Sequence, residues 1–323
     1  MEDSITRYLK LFKSLKRGHN KGLGKAPHKP ILLLSIIELI KQKKIISNRI
    51  EVSSDLVLMF KSLFKQLVHS GHVDNFSLPY FHLRSEPFYR LAPKAGMNSR
   101  LKQYKSIKSI NKLTELIAFA EIDRELYELL QVEDSRNIIK QFILNEYFSQ
   151  TDSYIKYEID GEDEIENEIL NETAPNYQSK LKKLSEQLQK ENFEEEIFVR
   201  GGIFKKTVPK IYNYSCCVTG FCVSSNHNVQ MVDACHIIPF SISQNDTIQN
   251  GISLSPNIHR AFDRGLLTIN QDYIVRISPS VSKKSSSESL LSLEGKRIEL
   301  PDNENYLPSL EALEWHRKEV FLF

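Results

Sequence analysis

The sequence has 323 residues, of which 41% are hydrophobic, and a formal net charge of +2 at pH 7. This length and apolar content allow two globular domains with separate cores and exclude a chain that is disordered throughout. The longest apolar stretch, residues 31–40, is short and contains Glu38, so no membrane span is predicted. The opening residues have no apolar run behind a basic leader, and we expect a cytoplasmic protein.

Charge is distributed unevenly along the chain. Residues 1–110 contain 21 lysine and arginine residues against 7 acidic ones, whereas residues 111–200 contain 10 against 22. Residues 201–323 are balanced at 12 against 12. A basic amino-terminal third suits a polyanion such as DNA, because each neutralised phosphate releases counterions. A well-solvated lysine-rich surface would give the same counts, and charge alone leaves both interpretations open.

The sequence of the amino-terminal part indicates a mainly helical domain with a small sheet. After a lysine-rich helix and a loop, Pro30 opens a strongly apolar helix, because proline lacks the N–H that would be unpaired in a first turn. Two β-like runs at residues 80–84 and 88–91 predict a hairpin. Helical periodicity resumes at residues 111–130 and 135–148.

A connecting segment follows. The run from Glu158 to Glu166 is too acidic to pack as a core and indicates a linker. A polar helix, roughly from Ser179 to Asn192, is predicted as a spacer. We therefore expect an α+β protein with a mainly helical amino-terminal domain at residues 1–150, a linker and spacer helix at 151–195, and a second domain at 196–323.

The second domain predicts a strand, a loop, another strand and a short helix. An apolar, β-rich run from residue 229 places His236 near its end, and residues 251–254 form the next strand. The helix at residues 256–264 follows at once. It has Ser255 as its N-cap, proline at its first position and Gly265 as its stop.

Two residues of this helix can bind a metal ion together. His259 and Asp263 are four positions apart, which places both side chains on one helical face. There an imidazole nitrogen and a carboxylate oxygen can hold one divalent ion. Each residue by itself would be an ordinary surface or structural residue, so the prediction depends on their combination with the motifs around them.

This succession resembles the HNH nucleases of the ββα-metal type over about residues 196–323. The motifs that carry the resemblance are Cys217-Val218-Thr219-Gly220, Ala234-Cys235-His236-Ile237-Ile238-Pro239, Asn250-Gly251, His259-Arg260-Ala261-Phe262-Asp263-Arg264-Gly265 and a closing helix with Leu313-Glu314-Trp315-His316-Arg317. The resemblance implies a metal-dependent DNA endonuclease. His236 would be the general base that deprotonates water, and Asn250 would brace the loop or orient that base. His259 and Asp263 would hold one Mg²⁺, Mn²⁺ or other divalent ion on the side of the leaving group.

The position before the base departs from the commonest family pattern. Many relatives have an Asp or His metal ligand there, whereas this chain has Cys235. A thiol is a soft ligand and a poor match for Mg²⁺. Water, Asp233 or Asn250 could complete the ligand set in its place.

The four cysteines all lie in one short segment, which is not typical of a secreted disulfide framework, and we expect reduced thiols. Cys217 and Cys222 lack a second pair after the helix. Cys216 and Cys235 are poorly spaced for a tetrahedral site, so no structural zinc is expected.

The amino-terminal domain resembles the sulfur-binding domain of phosphorothioate-dependent restriction endonucleases over about residues 1–150. The motifs are Ala26-Pro27-His28-Lys29-Pro30-Ile31-Leu32-Leu33-Leu34, Leu78-Pro79-Tyr80-Phe81-His82-Leu83 and Phe88-Tyr89. The resemblance implies that this domain recognises DNA in which sulfur replaces a non-bridging phosphate oxygen, and directs the attached nuclease to cut nearby. Leu78 stands where the family often has an aromatic residue, and Lys29 stands in place of an arginine.

Discrimination of sulfur from oxygen requires an apolar cup beside cationic anchors, because sulfur is larger and a poorer hydrogen-bond acceptor. The residues expected to bind the phosphorothioate or the surrounding DNA are His28, Lys29, Pro79, Tyr80, His82, Arg84, Lys21 and Lys25. The His28-Lys29-Pro30 segment could equally be only the start of a helix, and residues 78–83 only a core strand.

Three functions stay open at this stage. The first is an endonuclease that acts on phosphorothioated double-stranded DNA. The second is the same nuclease directed to another DNA modification or to an unmodified sequence, and the third is a non-catalytic DNA-binding protein. One HNH site cuts one strand, so a double-strand break needs two protomers or two visits, and we expect a homodimer.

Overall fold

The structure is a computed structural model that describes residues 2–149, 157, 161–223, 230–282 and 288–323. The chain forms two compact units, one of Met1–Glu162 with Leu188–Val199 and the other of Asp163–Gln187 with Arg200–Phe323. Both contain helices and small sheets, which confirms the α+β fold class. Within the described ranges, no helix is long and apolar enough to cross a membrane.

The first unit is mainly helical. Its helices are α1 (Glu2–Lys13), α2 (His28–Lys41), α3 (Ser54–Leu67), α4 (Ser77–His82), α5 (Asn98–Gln103), α6 (Ile110–Leu116), α7 (Arg124–Gln131) and α8 (Glu133–Phe148). Its strands are β1 (His19–Asn20), β2 (Gly24–Lys25), β3 (Arg49–Ile50), β4 (Tyr89–Pro93) and β5 (Ile117–Ile122). Helix α2 is central, because its side chains from Lys29 to Ile40 are all buried, and a helix that is apolar on every side belongs in a core.

The predicted hairpin at residues 80–91 is wrong. Residues 77–82 form α4, whose start is stabilised by the side chain of Asn75, which accepts a hydrogen bond from the Leu78 N–H at 3.0 Å. Tyr80 and Phe81 are consecutive and both fully buried, whereas a half-buried strand would expose one of the two. Only the second run forms a strand, and β4 pairs antiparallel with β5.

The predicted helix at residues 111–130 is also wrong in its middle. Strand β5 separates α6 from α7 and lies between β3 and β4 in an antiparallel sheet of order β3-β5-β4. Ile117, Ala120 and Ile122 are buried, and this short apolar run fits either periodicity. Residues 117–122 form a strand because they pair with β3 on one edge and with β4 on the other. The predicted helix at residues 135–148 is confirmed by α8.

The second unit contains a small hairpin and helices around it. Its helices include α9 (Glu162–Asn171), α10 (Ala174–Gln187), α11 (Lys190–Ile211), α12 (Phe240–Ser243), α13 (Pro256–Asp263), α14 (Glu288–Leu291) and α15 (Leu310–Glu319). Its strands include β6 (Asp233–His236), β7 (Gly251–Leu254), β8 (Leu267–Ile269) and β9 (Val275–Ile277). Residues 190–199 of α11 belong to the first unit, and residues 200–211 belong to the second. Residue 229, where the first strand was expected to start, lies outside the described residues.

The segment predicted as a linker folds differently from that expectation. Residues 163–187 form α9 and α10 within the second unit, and the described spacer region changes from α10 to α11 near residue 188. Ile165, Ile169 and Tyr177 are buried there. The acidic side chains lie on the other faces of α9, so a charged segment still offers one apolar stripe for packing. Residues 158–160 of the acidic run lie outside the described residues.

Candidate active site

The β6–β7 hairpin fixes the position of His236. The two strands are antiparallel, and His236 at the end of β6 is paired with Gly251 at the start of β7. A Cβ atom on Gly251 would lie 2.6 Å from Val208 Cγ2 and 2.9 Å from Phe204 Cζ. Only glycine therefore lets β7 approach α11 this closely, which gives the Asn250-Gly251 motif a packing role.

The imidazole of His236 is held on two sides. Its ring stacks on Phe204, with centroids 4.0 Å apart and an interplanar angle of 6°. Its Nε2 atom lies 2.8 Å from Asp246 Oδ1. An ionised carboxylate only accepts hydrogen bonds, so Nε2 carries the proton and Nδ1 keeps its lone pair. The histidine is therefore held in the tautomer that can accept a proton at Nδ1.

Asp246 contacts His236, and the sequence did not point to it. Its side chain is only 1% exposed, and its second oxygen accepts a hydrogen bond from the Tyr177 hydroxyl at 3.2 Å. Burial, together with the nearby Asp246 charge, raises the pKa of Tyr177, which keeps this hydroxyl a donor. The signal in the sequence was weak, because Asp246 lies in a polar loop and Tyr177 lies in a segment that looked like a linker.

Asn250 braces the loop between the two strands. Its Oδ1 accepts a hydrogen bond from the Ile238 N–H at 2.9 Å. Its Nδ2 donates to the Ile238 carbonyl and to the Asn245 carbonyl, each at 2.9 Å. The side chain is buried and its amide is occupied within the loop. This geometry supports a bracing role and leaves Asn250 poorly suited to complete a metal site.

His259 and Asp263 lie together, as their spacing on α13 predicted. His259 Nε2 is 3.5 Å from Asp263 Oδ2. The buried Cys235 thiol lies 3.9 Å from Asp263 Oδ1. One ligand atom from each of these three residues lies within 4.8 Å of the other two. A thiol, an imidazole and a carboxylate at this separation fit a divalent ion, and these are the residues that would hold it.

Asp233 orients His259. Its Oδ2 lies 3.2 Å from His259 Nδ1, on the opposite side of the ring from Asp263. If Nδ1 donates to this carboxylate, Nε2 is left as the atom for a metal ion. Asp233 would therefore orient His259 in this geometry, whereas the sequence indicated it only as a possible ligand.

His236, His259 and Asp263 face one cleft. A cavity of about 380 Å³ in the second unit is lined by His236, His259 and Asp263, with Lys205 and His316 also on its wall. His316 stacks on Phe262 and is 2% exposed, and burial lowers its pKa to about 4. A histidine kept neutral by burial serves packing and hydrogen bonding. His316 therefore has a structural role in the wall of this cleft.

A second cavity lies in the first unit. It measures about 300 Å³ and is lined by Lys16, Arg17, Gly18, Ala26, His28, Lys29, Leu78, Pro79, His82 and Ser85. Four of the residues expected to bind DNA or sulfur meet here, namely His28, Lys29, Pro79 and His82. Lys16 and Arg17 were missed, because they follow α1 and carried no distinguishing motif. Lys21, Lys25 and Arg84 are exposed and are not among its lining residues.

Most polar groups of this cavity are already paired within the unit. Lys29 is buried and its Nζ lies 2.5 Å from Glu86 Oε1. His28 Nε2 lies 2.7 Å from the Val73 carbonyl, to which it donates. His82 Nε2 lies 3.0 Å from the Ser106 hydroxyl. Burial lowers the pKa of both histidines, which favours their neutral forms.

Tyr80 requires a correction. It is 0% exposed, and its hydroxyl donates a hydrogen bond to the Ile50 carbonyl at 2.6 Å. Burial raises the pKa of this hydroxyl. Its neighbour Pro79 lines the cavity, while Tyr80 on the helix α4 faces the core. The predicted contact between Tyr80 and DNA is therefore wrong, because the segment is helical and successive side chains point about 100° apart.

A comparison with known protein families matches part of the second unit. Residues 216–270 match the HNH_2 family of HNH endonucleases. Among solved structures, the chain is similar to the modification-dependent restriction endonuclease TagI, with 22% identity over 36% of this chain and 37% of that one and a TM-score of 0.29. The chain thus spans little more than a third of TagI. It has no match among the curated proteins.

Two further similarities involve ScoMcrA. One is to its sulfur-binding domain complexed with phosphorothioated DNA, with 18% identity over 44% of this chain and 88% of that one and a TM-score of 0.34. The other is to the type IV phosphorothioation-dependent restriction endonuclease ScoMcrA itself, with 11% identity over 79% of this chain and 94% of that one, again with a TM-score of 0.34. Similarities this loose carry no argument about function.

The family match is different in kind, because it covers β6, the bracing loop, β7 and α13. These elements hold His236, Asp246, Asn250, His259 and Asp263. The second unit carries an HNH endonuclease domain, which confirms the resemblance drawn from the sequence. HNH endonucleases use a divalent metal ion.

Proposed function

We propose that this protein is a modification-dependent DNA endonuclease that recognises phosphorothioated duplexes with its first unit and hydrolyses nearby phosphodiester bonds with its second. The observation that carries the proposal is the shared cleft of His236, His259 and Asp263. A base and a metal-binding pair on one cleft are the groups that metal-assisted phosphodiester hydrolysis requires.

In the proposed mechanism, His236 takes the proton from the attacking water. Its Nδ1 accepts the proton of the attacking water, while Nε2–H stays hydrogen-bonded to Asp246. The buried carboxylate stabilises the imidazolium that forms, and Phe204 keeps the ring from rotating. Asn250 acts indirectly, because it fixes the loop that follows His236.

The metal ion has a separate role. Bound by His259 and Asp263, an ion such as Mg²⁺, Mn²⁺ or another divalent cation would neutralise the charge that develops on the phosphate and on the leaving 3′ oxygen. Asp233 keeps the ring of His259 in position for that ion.

Recognition is proposed for the cavity of the first unit. Pro79 and Leu78 supply an apolar wall, and Lys16 and Arg17 supply cations beside it. An apolar wall penalises an ordinary phosphate oxygen, which would lose hydration there, and penalises sulfur less. The exposed Lys21, Lys25 and Arg84 are proposed to contact the surrounding DNA backbone, which adds affinity that does not depend on sequence.

The experiment compares matched duplexes with and without a phosphorothioate, in the presence of Mg²⁺, Mn²⁺ or another divalent ion such as Co²⁺, each tested separately. We expect cleavage of the modified duplex only, and none by His236→Ala. A Leu78→Asp variant should no longer prefer the phosphorothioated duplex over the ordinary one. At high duplex concentration, where binding is saturated, it should still cleave DNA. Equal cutting of both duplexes by the wild type would refute sulfur dependence, and cutting by His236→Ala would refute the assigned base.

The oligomeric state follows from the same chemistry. One HNH site cuts one strand, and we propose that two protomers act together to break both. Light scattering of the protein with and without the modified duplex tests this. A monomer under both conditions would contradict the homodimer.

A further inference from the structure

We propose that the thiolate of Cys235 is the third protein ligand of the metal ion, and that the site consequently selects a borderline-soft ion such as Zn²⁺ or Co²⁺ over Mg²⁺. The inference rests on the proposed function, since it concerns the ion that this nuclease uses. Cys235 thus takes the place that the sequence left open to water, Asp233 or Asn250, beside His259 and Asp263.

The distances between the three side chains suit one tetrahedral ion. Around such an ion, with bonds of about 2.3 Å to sulfur and about 2.0 Å to nitrogen or oxygen, neighbouring ligand atoms lie roughly 3.3–3.5 Å apart. The nitrogen–oxygen separation between His259 and Asp263 is 3.5 Å, and the sulfur–oxygen separation between Cys235 and Asp263 is 3.9 Å. One ligand atom from each of the three residues lies within 4.8 Å of the other two, so a single ion can be placed among them.

The backbone holds the sulfur in this place. Cys235 is paired with Ile252 in the β6–β7 hairpin, and its side chain is 0% exposed. A strand alternates its side chains between two faces, so Cys235 points away from the side of His236 and toward the side of Asp233. The sulfur therefore lies beside the proposed metal ligands, 3.9 Å from Asp263 Oδ1.

Asp233 provides an independent indication of a metal site. A histidine that binds a metal usually donates its other ring N–H to a carboxylate, which fixes the ring and increases its basicity. Asp233 Oδ2 lies 3.2 Å from His259 Nδ1, and Nε2 faces Asp263. Asp233 is thereby occupied as a support, and Asn250 is occupied within its loop. Cys235 is the remaining donor.

The identity of the ligands decides the class of ion. Thiolate and imidazole favour Zn²⁺ and similar ions, whereas Mg²⁺ prefers oxygen ligands and keeps several waters. Three protein ligands with a fourth position left for water or phosphate is also the arrangement of catalytic zinc sites. On binding, the ion displaces the thiol proton to solvent, so the oxidation state of the sulfur is unchanged.

The test is a Co²⁺ titration of the metal-stripped full-length protein, followed by the near-ultraviolet charge-transfer absorption of a thiolate–cobalt bond. We expect one Co²⁺ per chain, a band that persists in excess Mg²⁺, and its loss in Cys235→Ser with Co²⁺ affinity at least about 10-fold weaker. Cys222→Ser, which changes an exposed cysteine, is the matched control and should keep both. Co²⁺ binding without the band, or an unchanged band in Cys235→Ser, would overturn the proposal.

Zinc-edge X-ray absorption of the wild type gives the same answer without a variant that has to fold. One sulfur at about 2.3 Å supports the proposal, and a shell of nitrogen and oxygen alone overturns it. Cleavage is scored separately from these spectra. A sulfur–metal bond in a protein that cuts no DNA would refute the proposed function and support Cys235 as a ligand. Cutting with Mg²⁺ in a protein without that bond would support the proposed function and refute Cys235 as a ligand.

Discussion

The cleft of the second unit and the cavity of the first differ in how their polar groups are used. In the cleft, His236 and His259 each have one ring nitrogen held by an aspartate, and the other ring nitrogen of His259 faces the exposed Asp263 carboxylate. In the cavity, Lys29 is paired with Glu86 in a buried ion pair, and His28 is bonded to a backbone carbonyl. The first arrangement leaves atoms ready for chemistry, and the second is largely satisfied within the fold.

This difference indicates where function and stability lie in each unit. A residue with an available atom can be removed at a cost to activity and little cost to folding. A residue whose partner is buried leaves an uncompensated group behind, and the cost then falls on stability. Under the proposed function, the cavity of the first unit is accordingly expected to contact DNA with its apolar wall and its exposed rim, more than with Lys29.

The largest expected effect tests the available nitrogen of His236. His236→Ala should lower the single-turnover rate of DNA cleavage by about 10³-fold to 10⁴-fold, because general-base catalysis is lost. Its melting temperature should stay close to that of the wild type. His316→Gln is the matched control on the same cleft wall and should retain most of the activity. If His316→Gln loses as much activity as His236→Ala, the assignment of the base fails.

The next effect tests the buried pair of the first unit. Lys29→Met should destabilise that unit by about 3–5 kcal/mol, because Glu86 would be left buried without its partner. Hydrogen exchange of the peptide over α2 measures the loss. Lys25→Met, at an exposed lysine nearby, should change stability by less than about 0.5 kcal/mol.

A double variant sharpens this result. Adding Glu86→Leu to Lys29→Met removes the stranded carboxylate and should recover most of the lost stability. A single Lys29→Met variant that is as stable as the wild type but binds DNA poorly would contradict the contrast between the two sites and make Lys29 a DNA ligand.

A smaller effect concerns the support of the base. Asp246→Asn keeps the shape of the side chain but no longer fixes the tautomer of His236 or stabilises its imidazolium, and the cleavage rate should fall about 10²-fold. Tyr177→Phe removes only the hydroxyl behind Asp246 and should cost less. Rates are compared at equal bound DNA. A rate loss that merely follows a fall in melting temperature would argue that Asp246 serves folding alone.

The smallest effect is a pH dependence of stability from His316. Its pKa in the folded protein is about 4, below the usual value near ~6.5, so between these pH values the unfolded chain binds more protons. The free energy of unfolding should therefore fall as the pH drops from about 6.5 to about 4, by at most about 1.4 kcal/mol for each pH unit.

Fluorescence of the single tryptophan, Trp315, reports this unfolding because it is adjacent to His316 in α15. Urea unfolding of the wild type and of His316→Gln is compared at pH 7 and pH 5. The stability difference between the two proteins should shrink as the pH falls. A difference that stays constant would show that His316 is not the titrating group.

The sequence by itself determined much of the candidate nuclease site. His236, Asn250, His259 and Asp263 lie within 28 residues, in a strand, a loop and a capped helix that place them locally. Spacing of four on a helix puts two side chains on one face without any help from the rest of the protein. The apolar helix after Pro30 and the helix α8 were predictable for the same reason, since periodicity is a local property.

Tertiary structure alone decided the rest. Asp246 becomes the partner of His236 only because the loop folds back, and Phe204 and Tyr177 come from helices far away in the sequence. The same holds for the recognition cavity, whose walls come from separate segments, and for β5, which is a strand because strands lie on both of its edges. Burial and pairing between distant segments override local propensity, so Tyr80 belongs to the core beside a cavity-lining Pro79.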